Sequence, residues 1–285
     1  MKTLVMNVSG NNHKPVGLDL KPGEKQRDVA VKIITFYKPD LILAQEGKKV
    51  FYEKVYRECK DGGTQYHYVY NEETGILFNV VDWTIEKPKA DLEKMYDELV
   101  HKNIISRESE LKARFHVLIL KSNGTDGNFL CVTYHGRYTG KTKDKKLDIL
   151  KDFLKLLCNY LEDNPSLSLI LGGDFNVELD DDILQDLISK GDPNYDNDLL
   201  LWKLFEPSSH ANRDLSLIPY APTGNRANIY DHIIVSSTIN VSEIKAVDVF
   251  KKIKELFQEV SKEHYPVILD HDPICVTFKI DTGRV

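Results

Sequence analysis

Apolar and polar positions along the chain follow two periods, one typical of helices and one typical of buried strands. The segment from Gln26 to Tyr37 places Val29, Ile33 and Tyr37 on one helical face. It ends before Pro39, which disfavours helix at the residue before it. The apolar run LILAQE then predicts a buried strand. This part of the chain therefore reads as a helix followed by a strand.

A second helix and strand follow in the middle of the chain. From about Lys145 to Asp163, leucines recur at alternating steps of three and four, which indicates an amphipathic helix. The run SLSLILGGDFN comes next and is typical of a strand covered on both faces. A further helix is expected from Asp182 to Lys190, with Gly191 as its C-cap. Helices on either side of a buried strand indicate a layered α/β structure.

The chain shows no internal repeat, low-complexity tract or Pro/Gly/Ser-rich linker. We therefore expect a single domain over residues 1–280, with residues 281–285 as a flexible C-terminal tail. A long segment between Trp202 and Ile229 contains three prolines and several turn formers. Such a segment either carries function or is a variable surface insertion, and the sequence favours neither reading.

Composition excludes some classes of protein. The 38 Lys and Arg against 44 Asp and Glu give a net charge of -6, which argues against binding polyanions by bulk charge. Polar Asn7 and Ser9 interrupt the opening apolar run, so we read it as a first strand rather than a signal peptide. No apolar stretch is long enough to span a bilayer, and we expect an intracellular protein in the cytoplasm or nucleus. The four cysteines form no CxxC pair, which argues against a zinc site and a disulfide framework.

Polar residues at the ends of apolar strands are the strongest candidates for chemistry, because a buried carboxylate is costly unless a metal or a donor satisfies it. Each could separately be a helix cap or a turn residue. Together they suggest a site for a hard cation such as Mg²⁺, which prefers oxygen ligands. These residues are Asn7, Glu46, His135, Asp174, Asn176, Asp231, Asp270 and His271.

Five motifs occur in the order typical of the endonuclease/exonuclease/phosphatase superfamily, which the chain resembles over nearly its whole length. They are LILAQE, VTYHG, GGDFN, IYDHIIVS and LDHDPI. The resemblance implies an α/β fold, a four-layer sandwich of two mixed β-sheets flanked by helices. The chain departs from the usual pattern at Met6, His232 and Leu269, which leaves the subfamily open.

The resemblance also implies a metal site. Glu46 would be the principal ligand of Mg²⁺, or of Mn²⁺ as a substitute, with help from Asn7 and Asp270. The implied reaction is hydrolysis of a phosphoester by activated water.

Catalytic roles follow from the same resemblance. Asp174 would orient or deprotonate the attacking water, and Asn176 would hold that water or the phosphate. His271 would be the general base or a donor to phosphate, with Asp231 fixing its tautomer. His135 would donate to a non-bridging oxygen or assist the leaving group.

A basic segment directly after His135 bears on the substrate. Arg137, Tyr138, Lys141 and Lys143 are candidates for substrate binding, although a solvated loop at the start of the helix is the simpler explanation of the lysines. Several tyrosines, Tyr134 among them, could stack on bases or could be packing residues.

We expect a nuclease that is a monomer and has nucleic acid as its partner. A phosphatase or phospholipase-like enzyme on phosphoinositide, sphingolipid or nucleotide substrates is the first alternative, with a small phosphoester as its partner. A non-catalytic interaction domain on the same fold is the second.

Overall fold

Two six-stranded β-sheets lie face to face at the centre of the computed structural model, and helices cover their outer surfaces. The structure describes residues 1–8, 22–71, 73–81, 83–87, 89–107, 111–122, 127–137, 142–180, 182–184, 187, 215–217, 230–236, 239–247, 271 and 273–279. In chain order the elements are β1 (Lys2–Asn7), α1 (Pro22–Tyr37), β2 (Leu41–Gln45), α2 (Lys49–Asp61), β3 (Tyr66–Tyr70), β4 (Thr74–Asn79), β5 (Trp83–Glu86), α3 (Lys89–His101), β6 (Phe115–Ser122), β7 (Asn128–His135), α4 (Lys143–Asp163), β8 (Leu167–Asp174), β9 (Leu215–Leu217), β10 (Asp231–Ser236), β11 (Asn240–Ala246) and β12 (Ile274–Lys279).

Each sheet has a parallel pair of strands at its centre. The first sheet has the order β11-β12-β1-β2-β4-β3, and β1 runs parallel to β2. The second has the order β5-β6-β7-β8-β10-β9, and β7 runs parallel to β8. The other neighbouring strands are antiparallel, so both sheets are mixed. Ligands of α/β proteins commonly bind beyond the carboxyl ends of parallel strands, so these two pairs mark the place to look.

Apolar side chains fill the three interfaces between the layers. Between the sheets, Val5 and Leu43 of the first lie in one cluster with Cys131 and Ile170 of the second. Helices α1 and α2 cover the first sheet, and α3 and α4 cover the second. Because the central strands are buried on both faces, their sequences are nearly continuous apolar runs. The expected four-layer sandwich of two mixed sheets is confirmed.

Helix boundaries differ from the expected ones by a few residues. Helix α1 begins at Pro22 rather than Gln26, and proline suits the first helical position because its fixed φ fits the helix and its missing N–H is not needed there. Helix α4 begins at Lys143, two residues before the expected start, because Thr142 caps it by accepting from the Lys145 amide.

Two other expected segments fall mostly outside the described residues. Of the helix expected from Asp182 to Lys190, residues 182–184 are helical, and 187 is the other residue described. Of the segment from Trp202 to Ile229, the described part is β9, which pairs with β10.

All four cysteines are free and buried, as expected. Among the described residues, no helix is long and apolar enough to cross a membrane.

Candidate active site

Strand register brings the polar ends of five strands to one edge of the sandwich. Asn7 ends β1 opposite Gln45, the residue before Glu46. In the second sheet Asp174 lies between two partners, paired with His135 of β7 and with Asp231 of β10. Direct side-chain contacts then join the two sheets across this edge, as the distances below show.

A glycine lets the two sheets approach at this edge. A Cβ atom on Gly172 would lie 2.7 Å from Val5 Cγ2 and 3.0 Å from Leu43 Cδ1, closer than side chains normally pack. The absence of a side chain therefore brings the end of β8 close to β1 and β2. This explains the first part of GGDFN as a packing requirement for the site.

Asn7 links the metal candidate Glu46 to Asp174. Its Nδ2 donates to Glu46 Oε1 and to Asp174 Oδ2, both at 3.1 Å. Asn7 and Asp174 are buried, whereas the Glu46 side chain is one-third exposed. Glu46 itself has a positive φ of 56°, and its amide donates to the Glu73 carbonyl at 2.7 Å. Positive φ is uncommon outside glycine and is often found at functional sites.

Asp174 is surrounded by other titratable groups. Burial, together with the negative charge of Asp231, raises the pKa of Asp174 to about 6. His271 lies beside it, with Nε2 3.6 Å from Asp174 Oδ2. The Nδ1 atom of His271 is 2.5 Å from Asp231 Oδ2, which is the expected contact between these two residues. Because an ionised carboxylate only accepts hydrogen bonds, Nδ1 carries the proton and Nε2 faces the site.

His135 forms a second histidine–carboxylate pair. Its Nδ1 donates to Glu73 Oε2 at 2.8 Å, and its Nε2 lies 3.5 Å from Glu46 Oε1. The hydrogen bond from His135 holds the pKa of Glu73 below its usual range and outweighs the opposing effect of burial. Arg114 Nη1 lies 3.8 Å from the same Glu73 oxygen.

Glu73 is a candidate that the sequence analysis missed. It lies in the turn between β3 and β4, not at the end of an apolar run, so it had no signal of the kind used for the other residues. The turn is fixed by Asn71, whose Oδ1 accepts from the amides of Glu73 and Thr74 at 2.9 and 2.7 Å. An Asn followed by polar residues between two strands was the available clue.

Asn176 lies in a tightly held turn after β8. It has a positive φ of 53°, and its amide donates to Asp174 Oδ1 at 2.9 Å. Its side-chain Nδ2 donates to the Gly136 carbonyl at 2.9 Å. The backbone carbonyl of Asn176 accepts from Lys146 Nζ at 2.8 Å. A Cβ on Gly136 would lie 2.0 Å from the Phe175 carbonyl oxygen, so this close approach requires glycine.

The donor atoms fit a hard divalent cation. One carboxylate oxygen each of Glu46 and Asp174 accepts from the same Asn7 nitrogen, so the two side chains lie close together. Negative charge at such a partly buried place is costly unless a cation balances it. One oxygen or nitrogen each from Asp174, Asp231 and His271 also lie within 4.8 Å of one another. We read the latter group as a hydrogen-bonded pair beside Asp174, because His271 and Asp231 already bond to each other. Asp270 lies outside the described residues.

The candidates for substrate binding and base stacking differ in burial, and some of them lie outside the described residues. Arg137 is half-buried and Lys143 is exposed, whereas Tyr138 and Lys141 lie outside the described part of the chain. Tyr134 is buried and stacks on Phe153 at 4.6 Å between ring centroids, so it is a packing residue, the second of its two suggested roles. Its ring belongs to the core between β7 and α4.

The departure at His232 has a structural explanation. Its buried ring packs edge-on against Phe175, and Nε2 lies 2.9 Å from the Val177 carbonyl oxygen. The polar ring therefore joins β10 to the segment after β8.

Solved structures with this fold share little sequence with the chain. The endonuclease/exonuclease/phosphatase from Bacteroides vulgatus is 11% identical with a TM-score of 0.60, covering 98% of this chain and 98% of that one. D. rerio TDP2, complexed with a single-strand DNA product, is 14% identical with a TM-score of 0.54, covering 98% and 99%. The Bacteroides thetaiotaomicron mannosyl-6-phosphatase Bt3783 is 15% identical with a TM-score of 0.58, covering 98% and 100%. No protein-family model matches the sequence, and neither does any curated protein sequence.

Proposed function

We propose that this chain, which has the fold of the endonuclease/exonuclease/phosphatase superfamily, is a divalent-metal-dependent phosphoesterase. The observation that carries the proposal is the link from Glu46 through Asn7 to Asp174 and on to His271 at one edge of the sandwich. Carboxylates for a cation, a buried carboxyl group and an oriented histidine are the parts that metal-assisted hydrolysis requires. These groups come from segments that are far apart in the sequence, which makes chance assembly a poor explanation.

Glu46 and Asn7 would hold the cation, and Asp270 is proposed as a further ligand from the sequence alone. A divalent cation bound there would neutralise the negative charge that develops on the phosphate oxygens. The partial exposure of Glu46 leaves an accessible side from which a phosphate can approach.

Asp174 and His271 are proposed to handle the attacking water. The raised pKa of Asp174 makes it a better proton acceptor than an ordinary carboxylate. His271 presents Nε2 to the same region, because Asp231 holds its Nδ1 proton. Asn176 orients the water or the phosphate.

His135 is proposed to act on a phosphate oxygen. With Nδ1 fixed by Glu73, a second proton on the ring would reside on Nε2, beside Glu46. From there it can donate to a non-bridging oxygen or to the leaving group.

Nucleic acid is the substrate class that we favour. Lys143 and Lys145 are exposed at the start of α4, and Lys146 in the same turn reaches Asn176 in the site. A positive surface therefore begins at the edge of the proposed catalytic centre and can follow a phosphodiester backbone. The fold is shared with TDP2, whose structure contains a single-strand DNA product.

A phosphatase acting on a small phosphoester is the second candidate. The net charge of -6 gives no general attraction for a polyanion, and the same fold occurs in a mannosyl-6-phosphatase. Such a substrate would use the metal and catalytic groups without Lys143 and Lys145 at the start of α4.

A substrate panel separates the two candidates. Single- and double-stranded oligonucleotides, a hexose 6-phosphate and a chromogenic phosphodiester are incubated with Mg²⁺, Mn²⁺ or EDTA. Neutralising Lys141, Lys143 and Lys145 together is expected to weaken oligonucleotide cleavage and its salt dependence, while the chromogenic substrate is unaffected. Equal cleavage of oligonucleotides by parent and variant would favour the phosphatase.

A further inference from the structure

Lys146 differs from its neighbours at the start of α4 because it is bound to the site. Lys143 and Lys145 are exposed, whereas Lys146 is half-buried and donates from Nζ to the Asn176 carbonyl oxygen at 2.8 Å. This bond joins a helix to the turn after β8, which are separated by 30 positions in the sequence. It connects the basic helix start to the catalytic turn rather than to solvent.

The turn that Lys146 contacts is held from three directions. The amide of Asn176 bonds to Asp174, its side chain bonds to the Gly136 carbonyl, and its carbonyl accepts from Lys146. A non-glycine residue with positive φ persists when its surroundings fix it in several ways. The bond from Lys146 is charge-assisted, and such bonds are stronger than neutral ones.

We propose that Lys146 is a positioning residue of the active site, which acts through the backbone of Asn176. It fixes the carbonyl of this turn, and thereby sets the direction of the Asn176 side chain and the distance from that side chain to Asp174. The inference rests on the proposed phosphoesterase function for its catalytic meaning. The part that concerns the turn can be measured without turnover.

The first experiment compares Lys146→Met with Lys145→Met. Both substitutions remove one positive charge from the start of α4 and keep a long apolar stem, but Lys146→Met alone removes the bond to Asn176. The substrate is a chromogenic phosphodiester, which Lys145 is not proposed to contact. We expect Lys146→Met, compared with Lys145→Met, to lower kcat on this substrate by roughly 10- to 100-fold, with KM unchanged. Lys146→Arg, which restores a cationic donor, should recover most of the activity.

A double variant tests whether Lys146 acts through Asn176. Asn176→Gly removes the side-chain amide and tolerates the positive φ. If Lys146 serves to place that amide, adding Lys146→Met to Asn176→Gly should lower kcat by much less than it does in the parent. Independent, multiplicative losses would overturn the proposal.

Amide hydrogen exchange of residues 174–179 provides the readout that is independent of turnover. Faster exchange in Lys146→Met than in Lys145→Met is expected, because the turn loses one of its fixed contacts. Unchanged exchange would overturn the role of Lys146 even if the enzyme is active. Faster exchange in a protein that hydrolyses no phosphoester would instead contradict the proposed function. A raised KM with unchanged kcat, or a lower melting temperature with full activity, would also overturn the positioning role.

Discussion

Both histidines of the candidate site are fixed at Nδ1 by a carboxylate and present Nε2 to the centre. Glu73 fixes His135, and Asp231 fixes His271. The two carboxylates come from different sheets, since Glu73 precedes β4 of the first sheet and Asp231 begins β10 of the second. Each imidazole therefore has a defined tautomer, which a residue that exchanges protons with a substrate requires.

The pair formed by Glu73 and His135 predicts the effect of a conservative change. Glu73→Gln keeps the size of the side chain but replaces the carboxylate that accepts from His135 Nδ1 with a neutral amide, which holds the ring less firmly. We expect phosphoester hydrolysis to fall by about 10- to 100-fold, less than for loss of His135 itself, because a positioned acid or base contributes roughly 10²–10⁴-fold. Initial rates on a chromogenic phosphodiester measure the effect. Glu58→Gln, on the exposed surface of α2, is the matched control, and equal rates for the two variants would contradict the role of Glu73.

Asp174 predicts a pH-dependent stability in the metal-free protein. Its pKa is raised from 3.8 to about 6 in the folded state, so the folded chain holds this proton to a higher pH than the unfolded chain. Folded-state stability is therefore lost as pH rises through this window, by up to about 3 kcal/mol. Asp174→Asn cannot titrate, so its free energy of unfolding relative to the parent should increase from pH 4 to pH 7.

Urea unfolding in EDTA at several pH values measures this difference, and a constant offset is immaterial because only its change with pH is predicted. A difference that stays constant between pH 4 and pH 7 would show that burial and Asp231 do not raise the pKa of Asp174.

Residues of the site were predictable from sequence where they end an apolar strand. Asn7, His135 and Asp174 stand at such ends. Strand register pairs His135 with Asp174, and the packing of the two sheets brings Asn7 to Asp174. Glu73 could not be found in this way, because its place depends on the turn fixed by Asn71 and on the pairing of β4 with β2. The bond from Lys146 to Asn176 likewise depends on how α4 packs on the second sheet, which no local pattern contains.

At the scale of the elements, the distance between β8 and the first sheet controls the site. Gly172 has no side chain and faces Val5 and Leu43. Two residues later in the same strand, Asp174 accepts a hydrogen bond from Asn7. The apolar run of β8 was recognisable in the sequence, but the need for glycine within it became apparent only from the packing of two sheets. Short strands such as β5, with alternating exposure, gave too weak a pattern to be assigned.

Gly172→Ala therefore predicts a coupled loss of stability and activity. The new methyl group would lie 2.7 Å from Val5 Cγ2, so the Val5 side chain, the backbone or the spacing of the sheets must change. Overpacking of this kind typically costs about 1–3 kcal/mol. The melting temperature of the variant should fall because of the overpacking. Its hydrolysis rate should fall as well, because Asn7 and Asp174 move apart.

Gly62→Ala is the matched control at the end of α2, where a Cβ would meet its nearest atom at an ordinary 3.4 Å. Gly172→Ala with the stability and activity of this control would show that the spacing of the sheets does not limit the site.

For the whole molecule, the central parallel strands of the two mixed sheets end at one edge, and the candidate site lies at that edge. The fold could be anticipated from the order of its motifs. The substrate could not, because structures with this fold include a DNA complex and a sugar phosphatase. Under the proposed function, substrate choice would depend on surfaces around the edge, whereas the metal and the histidines would serve any phosphoester.

The most direct test of the account is the metal dependence of hydrolysis by the parent and by Glu46→Gln, using a chromogenic phosphodiester. The parent should be inactive in EDTA and recover with Mg²⁺ or Mn²⁺, because its ligands are oxygen atoms. Glu46→Gln should retain the parent's melting temperature in EDTA, since Glu46 is partly exposed, yet require far more Mg²⁺ and reach a rate lower by about 100-fold or more. Full turnover in EDTA, or equal metal dependence of the two proteins, would contradict a metal-dependent centre at Glu46.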